Sequence, residues 1–284
     1  MFKKTLLVYS ERALAEHGEV IKTVKGLVLE SGSECVCVGV CDLQAGVFAG
    51  VDLVITVGGD GTFIRAASYV KDILILGINS ESGSSEGALT SINEGELDFV
   101  KDVFAGNYNI IERQRACVVR NGVELDKVAL NDVYVGSASQ FHTSRYRIFF
   151  KEKAEEQRSS GVLIATGSGS GAWYKSAGGE VFDFKEKKLK FLVRELYSGK
   201  LFKPEILEGV IEEGERIKMS SWEAIIISSL LFILSCIIFI VSMDGNGIFN
   251  LGEAMGFSGM FIFFFITLFF ICDNSEDKLN KDKK

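Results

Sequence analysis

The sequence predicts an α/β fold with a parallel sheet in its N-terminal part, followed by a mostly β part and an apolar tail. In residues 1–112, short apolar runs alternate with segments of helical periodicity. In residues 113–222, β-type runs follow one another with turns between them, and residues 223–284 contain two long uncharged stretches. Alternating strands and helices build a parallel sheet with helices on its faces. These three regions are the predicted domains.

In the first region each element has its own local signal. Apolar residues at helical spacing (Leu14, Ile21, Val24 and Val28) predict a helix over Glu11–Glu30, and the glycine turn after Val57 opens a second helix. The second helix is predicted to extend to about residue 70, and a short one covers Phe99–Phe104. The predicted strands are Lys4–Tyr9, Glu34–Val40, Val51–Val57 and Ile73–Ile78.

The second region has the pattern of a β domain. Asn121-Gly122 lies between two apolar runs, which is a strong signal for a β-hairpin turn. The predicted strands are Arg115–Arg120, Val128–Val135, Tyr146–Phe150 and Val162–Ala165.

The tail carries two candidate membrane segments, residues 224–243 and 254–271, neither of which contains a charged residue. Each has about the length that a helix needs to cross a bilayer, roughly 20 residues. Lysines follow the second stretch and none lie between the two, so a transmembrane helical hairpin with both flanks in the cytoplasm is expected. The alternative is a pair of buried strands that completes the β domain.

Composition excludes several classes of protein. The net charge of −7 argues against a general nucleic-acid surface. The six cysteines do not form paired CxxC units and only two histidines are present, so neither a zinc site nor an oxidising compartment is indicated. Cys35 and Cys37 fit a buried strand. The apolar run after Met1 is too short for a signal peptide, so a cytoplasmic catalytic domain is expected, either anchored to the membrane by the tail or soluble.

The most informative segment is Val57-Gly58-Gly59-Asp60-Gly61-Thr62-Phe63, between a buried strand and a helix. Glycines let backbone N–H groups approach phosphate oxygens, and a helix N-terminus adds positive potential. A carboxylate in such a turn would repel bare phosphate. The presence of Asp60 therefore indicates that it organises a metal ion or takes a proton from an attacking hydroxyl, as in a kinase acting on an alcohol.

Three segments in order resemble the NAD kinase family over most of residues 1–222. The first is Gly58-Gly59-Asp60-Gly61-Thr62 with the helix that follows it. The second is Asn131-Asp132, where the family usually has Asn-Glu, and the third runs from Gly161 through Thr166 and Trp173 to Gly179. Gly77-Ile78-Asn79-Ser80, Ser85-Glu86-Gly87 and Trp173 resemble the organellar and archaeal-like branch. Gly167 and Gly171 depart from the proline and threonine that are common in the third segment.

The resemblance implies transfer of the ATP γ-phosphate to the 2′-hydroxyl of the adenosine ribose of NAD, with Mg²⁺ as cofactor. Asp60 is the implied catalytic base. Arg65, Arg145 and Arg158 are candidate phosphate or nucleotide contacts, and the alternative for each is a solvated surface charge. Trp173 either stacks on a base or belongs to the core, and Arg194 has no assigned role. No set of protein metal ligands is expected. The residues expected at the nucleotide pocket are Gly59, Gly61, Thr62, Arg65, Asn79, Asn131, Asp132, Arg145, Thr166, Gly171, Ala172, Trp173 and Ser176.

Two other functions compete with this interpretation. A lipid kinase of the diacylglycerol or sphingosine type fits the glycine turn and the membrane segments, but fits Asn131-Asp132 poorly. A non-catalytic, membrane-bound dinucleotide sensor fits the altered third segment. In the tail, Asp244-Gly245 resembles a late soluble hairpin of the family, which conflicts with a membrane hairpin. A homo-oligomer is typical of the family, but no residue indicates an interface.

Overall fold

The computed structural model describes residues 2–81, 83, 85–137, 142–199 and 203–221. Met1–Ser221 form one compact unit. Both apolar stretches of the tail lie outside the described residues, so the membrane hairpin and its soluble alternative stay predictions. Within the described part of the chain, no helix is long and apolar enough to cross a membrane.

The N-terminal part is a parallel sheet, as the sequence predicts, and it contains a short fifth strand in addition to the four predicted ones. The strands occur in the order β2-β1-β3-β4-β5, so β1 lies between β2 and β3. Their bounds are Lys4–Tyr9 (β1), Glu34–Gly39 (β2), Leu53–Gly58 (β3), Leu74–Asn79 (β4) and Ile92–Asn93 (β5). The chain leaves β1 towards β2 on one side and continues from β2 to β3 on the other. The sheet therefore has a topological switch point between β1 and β3, where ligands bind in such folds.

Helices cover both faces of this sheet. They are α1 (Glu11–Glu30), α2 (Asp60–Ala67) and α3 (Phe99–Phe104). Leu7 of β1 is buried with Val24 and Val28 of α1, whereas its neighbour Leu6 is buried with Ala66 of α2. Successive side chains of a strand point to opposite faces, so the apolar strands have a core on each side.

The part of the chain after α3 is mostly β. Its strands are β6 (Ala116–Arg120), β7 (Val123–Ala129), β8 (Asp132–Gly136), β9 (Ser144–Phe150), β10 (Lys153–Ser159), β11 (Gly161–Ala165), β12 (Lys188–Arg194), β13 (Glu208–Glu212) and β14 (Ile217–Ser221). They form a hairpin β6-β7, a sheet β13-β12-β11-β8 and a sheet β10-β9-β14. The last two sheets share an apolar core that includes Ile148, Ile164 and Phe191.

Two predictions about this part had different outcomes. The hairpin turn at Asn121-Gly122 is confirmed, because both residues have positive φ angles (53° and 83°) between β6 and β7. The single strand predicted over Val128–Val135 is wrong, since the structure divides it into β7 and β8 at Leu130-Asn131. Leu130 is buried against Phe63 and Ala67 of α2 instead of extending the strand.

Candidate functional site

The carboxyl ends of β1, β3 and β4 enclose a cavity of about 390 Å³ at the switch point of the sheet. The lining includes the glycine turn that the sequence singles out, together with a residue at the end of β1 and two that follow β4. The lining residues are Ser10, Val40, Gly59, Asp60, Gly61, Thr62, Arg65, Glu81 and Ser85. The structure therefore brings together five of the predicted site residues, from Gly59 to Arg65.

The carboxylate of Asp60 is held by main-chain groups of the loop after β4. Its Oδ1 accepts a hydrogen bond from the amide of Leu89 at 2.8 Å, and its Oδ2 accepts one from the amide of Ala88 at 3.1 Å. Asp60 is the first residue of α2, and its own amide donates to Ser85 Oγ at 3.1 Å. Hydrogen bonds to an ionised group are stronger than neutral ones. Asp60 is therefore fixed in orientation at the wall of the cavity.

The glycines of the turn have different local roles. Gly58 has φ +152°, and a Cβ there would lie 2.6 Å from Thr62 Oγ1. A Cβ on Gly59 would lie 2.7 Å from Ser85 Oγ, whereas a Cβ on Gly61 would meet nothing within 4 Å. Gly58 and Gly59 are thus required by packing within the protein. Gly61 leaves open space at the cavity, where a ligand can approach the backbone.

Asn79 organises the loop that supports Asp60. The side chain is 3% exposed, and its Oδ1 accepts a hydrogen bond from the amide of Glu81 at 3.0 Å. Gly87, with φ +68°, leaves no room for a side chain, because a Cβ would lie 2.6 Å from Asn79 Nδ2. The amides of residues 88 and 89 follow directly. Asn79 is therefore placed to shape the wall of the cavity, although it was predicted to face the pocket itself.

A second group of predicted residues meets around the break between β7 and β8. The amide of Thr166 donates to Asn131 O at 2.9 Å, and the buried hydroxyl of Thr166 donates to Leu130 O. Asp132 pairs with Ala165 in the register of β8 and β11, and burial raises the pKa of the Asp132 carboxyl. The Oδ1 atom of Asn131 is buried without a hydrogen-bond partner in the described structure. An unsatisfied buried amide oxygen is costly, so a ligand donor would stabilise it.

The glycine-rich loop after β11 continues into a π-helical turn, Ser170–Tyr174. Gly171 and Ala172 are exposed, and Ser176 Oγ donates to Ala172 O at 3.2 Å. Trp173 is half-buried. Its ring lies 5.3 Å from the ring of Tyr134 and 5.0 Å from Arg194 Cζ. The exposed residues of this turn are open to a ligand, while Trp173 has protein neighbours for its ring.

The cavity at Asp60 and the residues around Asn131 are joined through α2. Phe63 and Ala67 of that helix are buried with Leu130, the residue before Asn131, and the amide of Val128 donates to Ser68 O at 3.0 Å. The helix that begins at Asp60 therefore packs directly on the segment that carries Asn131-Asp132.

Arg145 lies neither at the cavity beside Asp60 nor among the contacts described around Asn131. It is exposed on β9, in register with Arg158 of β10, and does not line the cavity that the described residues form. Arg65, by contrast, is exposed at the cavity itself.

Three contributors to the site had no assigned role from the sequence. Ser10 and Glu81 line the cavity, and Ser85 supports the amide of Asp60. Ser10 could have been found, because it follows the predicted strand Lys4–Tyr9 and the carboxyl ends of parallel strands share one edge. Arg113 was also missed: its Nη1 donates to Ser168 Oγ at 3.1 Å, and its guanidinium lies 4.5 Å from the centre of the Phe184 ring. Nothing in the local pattern distinguishes it from a surface charge.

Comparison with known proteins gives a consistent set of similarities. Residues 40–104 match the model of the ATP-NAD kinase N-terminal domain. A probable NADH kinase of Oryza sativa is 28% identical over 235 residues, covering 75% of this chain and 72% of the relative. An NAD kinase of Methanosarcina acetivorans is 36% identical over 137 residues. This match covers 47% of this chain and 48% of the relative.

Two solved structures share the fold. An NAD kinase from Archaeoglobus fulgidus in complex with ATP superposes with a TM-score of 0.58 at 21% identity, covering 76% of this chain and 80% of that one. Yeast NADH kinase complexed with NADH gives a TM-score of 0.57 at 18% identity, covering 78% of this chain and 75% of that one. The α/β part with its parallel sheet and the mostly β part are features of this shared fold.

Proposed function

Since this chain belongs to the NAD kinase family, we propose that it transfers the γ-phosphate of ATP to the 2′-hydroxyl of the adenosine ribose of NAD, forming NADP. The observation that carries the proposal is the placement of Asp60. A carboxylate fixed by two main-chain amides lines a cavity at the switch point of a parallel sheet, beside a glycine turn with open space at Gly61.

Asp60 is the proposed general base. When both of its oxygens accept from backbone amides, each retains a further lone pair that can accept a proton from a bound hydroxyl. Removal of that proton makes the ribose oxygen a stronger nucleophile towards the terminal phosphorus of the donor. The bond between the γ-phosphorus and the oxygen that bridges it to the β-phosphate breaks, and ADP leaves.

Asn131, Asp132 and the exposed turn at Gly171-Ala172 are proposed to bind the dinucleotide. The unsatisfied Oδ1 of Asn131 is an acceptor for a ligand N–H or hydroxyl group. Phe63 of α2 packs against Leu130, the residue before Asn131. This apolar contact links the helix that begins at the proposed base with the segment that carries the proposed dinucleotide site. Thr166 fixes the loop, because its hydroxyl donates to Leu130 O and accepts from the amide of Gly169. Trp173 lies within the turn that follows, and Ser176 Oγ donates to Ala172 O.

The residues at the cavity fit Mg²⁺. Asp60 and Glu81 offer carboxylate oxygens, and Ser10 and Ser85 offer hydroxyl oxygens, which are the hard ligands that this ion prefers. No cluster of three or more His, Cys, Asp or Glu suited to a metal occurs among the described residues, so most of the ligands would come from nucleotide phosphates and water. When bound, the ion supplies neutralisation of charge on the transferring phosphoryl group.

The test is product formation by the full chain. We expect NADP⁺ from NAD⁺ and ATP with Mg²⁺, and a parallel assay with NADH decides which form of the dinucleotide is the better acceptor. Diacylglycerol and sphingosine are offered to the same preparation. Phosphorylated lipid without NADP⁺ or NADPH would overturn the proposal, and dinucleotide binding without any turnover would support the sensor function instead.

A membrane location is a separate proposal. It depends on the uncharged residues 224–243 and 254–271, which the structure does not describe. If the full chain is anchored by these residues, it will sediment with membranes after an alkaline wash, and removal of residues 223–284 will release residues 1–222 to the supernatant. Release of the full chain by the wash would contradict anchoring.

A further inference from the structure

Arg113 is held against the glycine-rich loop that follows β11. Its Nη1 donates a hydrogen bond to Ser168 Oγ at 3.1 Å, and its Cζ atom lies 4.5 Å from the centre of the Phe184 ring. Phe184 in turn packs on the backbone of the loop, because a Cβ built on Gly167 would lie 2.5 Å from Phe184 Cα. One hydrogen bond and one aromatic ring therefore fix the guanidinium beside the loop.

Arg115 brings a second positive charge to this region. It directly precedes β6, whose first residue, Ala116, pairs with Ala129, so it lies next to the break between β7 and β8 to which Thr166 fastens the loop. Both arginines are half-buried, and the Nη1 atom of Arg115 is buried without a hydrogen-bond partner in the described structure. An unsatisfied buried donor is costly, and the cost is greater on a charged group.

The two positive charges are not compensated by the part of the chain that the structure describes. Neither Arg113 nor Arg115 forms an ion pair with an acidic side chain there. Burial lowers the pKa of both guanidiniums, and the charge of Arg113 lowers the pKa of Arg115 further. Arginine nevertheless stays protonated at neutral pH, so both charges persist. An anion bound by both side chains would relieve their repulsion and satisfy the buried donor.

Ser168 offers a neutral donor at the same place. Its Oγ accepts from Arg113, and a hydroxyl has one proton to donate. No described residue accepts that proton in a hydrogen bond. Guanidinium and hydroxyl groups are donors that suit phosphate oxygens, and the planar fork of arginine matches two such oxygens at once. The set of donors therefore fits a phosphate group.

We propose that Arg113 and Arg115 form a phosphate-binding pair at the glycine-rich loop, with Ser168 as a third donor, and that the phosphate group belongs to the dinucleotide. The choice of the dinucleotide rests on the proposed function, which assigns this ligand to Asn131 and to the turn that ends the same loop. The phosphate site itself does not depend on kinase activity. A free phosphate ion is the other source of the same chemistry.

Arg115→Met removes the charge and keeps a long side chain. Because the fold leaves this charge unpaired, the ligand-free variant should melt at the temperature of wild type or above it. Arg120→Gln is the matched control, since it removes one positive charge at the other end of β6, where the residue is exposed. Melting temperatures of the three full-length proteins are measured without phosphate or nucleotide.

Binding is then measured by calorimetry with inorganic pyrophosphate and with NAD⁺. Arg115→Met is expected to weaken the binding of each ligand about tenfold or more, as is typical when a hydrogen bond to a charged group is lost. Arg120→Gln is expected to change either affinity by less than about twofold. Pyrophosphate should also compete with NAD⁺ for wild type, because the two ligands share the arginine pair.

The outcomes decide between the sources of the phosphate group. Weakening of both ligands by Arg115→Met supports the proposal. If only pyrophosphate is weakened, and NAD⁺ binds together with it, the pair is a phosphate site but its assignment to the dinucleotide is wrong. If neither ligand is weakened, if Arg120→Gln has the same effect, or if ligand-free Arg115→Met melts well below wild type, the phosphate site is overturned.

A parallel assay of NADP⁺ formation by wild type keeps the two proposals separate. Absence of turnover, together with weaker pyrophosphate binding by Arg115→Met, contradicts the kinase activity and leaves the phosphate site standing. Normal turnover, with affinities that Arg115→Met does not change, contradicts the phosphate site alone.

Discussion

Gly169 lies directly against the main-chain carbonyl of Asn131. A Cβ built on Gly169 would be 2.1 Å from Asn131 O and 2.5 Å from its Cα. The glycine-rich loop and the Asn-Asp pair, which are 38 residues apart in the chain (169 − 131), therefore contact each other through their backbones.

Gly169→Ala should destabilise the protein severely, by at least about 2 kcal/mol, because the obstructing atoms are backbone and cannot move without shifting β8. Gly171→Ala is the matched control two residues on, where a Cβ meets nothing within 4 Å. Its free energy of unfolding should change by no more than about 0.5 kcal/mol. Urea unfolding of both variants measures the difference, and equal stabilities would contradict the close contact.

Asp60→Asn should lower kcat by about 10²- to 10⁴-fold, since it removes the proposed general base. It should also lower stability by about 1–3 kcal/mol, because the amide nitrogen of asparagine faces one of the two backbone N–H groups that the carboxylate accepts from. The assay is NADP⁺ formation below the melting temperature. The exposed Asp72→Asn is the control. A variant of Asp60 that is stable and fully active would exclude the residue from catalysis.

Gly61→Ala and Gly59→Ala should fail in different ways. A methyl group on Gly61 enters open space at the cavity, so the melting temperature should hold while KM for the nucleotide rises about tenfold. A methyl group on Gly59 displaces Ser85, which supports the Asp60 amide, so it should lower the melting temperature. Equal melting temperatures for these two variants would contradict the distinction.

Asp132→Asn should make stability less sensitive to pH in the acid range. Burial raises the folded-state pKa of the Asp132 carboxyl above its ordinary value of 3.8. The contribution of this group to stability is therefore complete below about pH 4 and is lost as the pH rises through the folded-state pKa. The variant should gain stability over wild type between pH 4 and pH 7, as measured by urea unfolding, while losing affinity for the dinucleotide. A difference that shrinks over this interval would reverse the assignment.

The N-terminal elements could be predicted because their patterns are local. Helix α1 spans Glu11–Glu30 as predicted, with apolar residues at helical spacing and Ser10 as its N-cap. Strand β10 was not predicted, because its sequence is polar. Its buried residue Gln157 is satisfied by hydrogen bonds, since it accepts from Tyr146 Oη and donates to Ile206 O. Cys35 and Cys37 lie in a strand as expected, but β2 is at the edge of the sheet and they are only half-buried.

Prediction of the site was likewise limited to features that a local sequence pattern shows. Residues Gly59–Arg65 follow one strand and could be placed from the sequence alone. Ser10, Glu81 and Ser85 reach the same cavity only because β1, β3 and β4 are adjacent in the sheet, which is a property of topology. The break at Leu130 depends on its burial against α2, a contact between residues that are far apart in the chain.

The support of Asp60 by the amides of residues 88 and 89 has a consequence for how this site can diverge. Any residue except proline provides the same N–H, so these two hydrogen bonds do not depend on which side chains residues 88 and 89 carry, although Leu89 also packs on the apolar cluster of Phe63 and Leu130. What must be inherited is the path of the chain over the intervals of 28 and 29 residues. A single insertion or deletion there would harm the site more than many substitutions that leave the path of the chain unchanged.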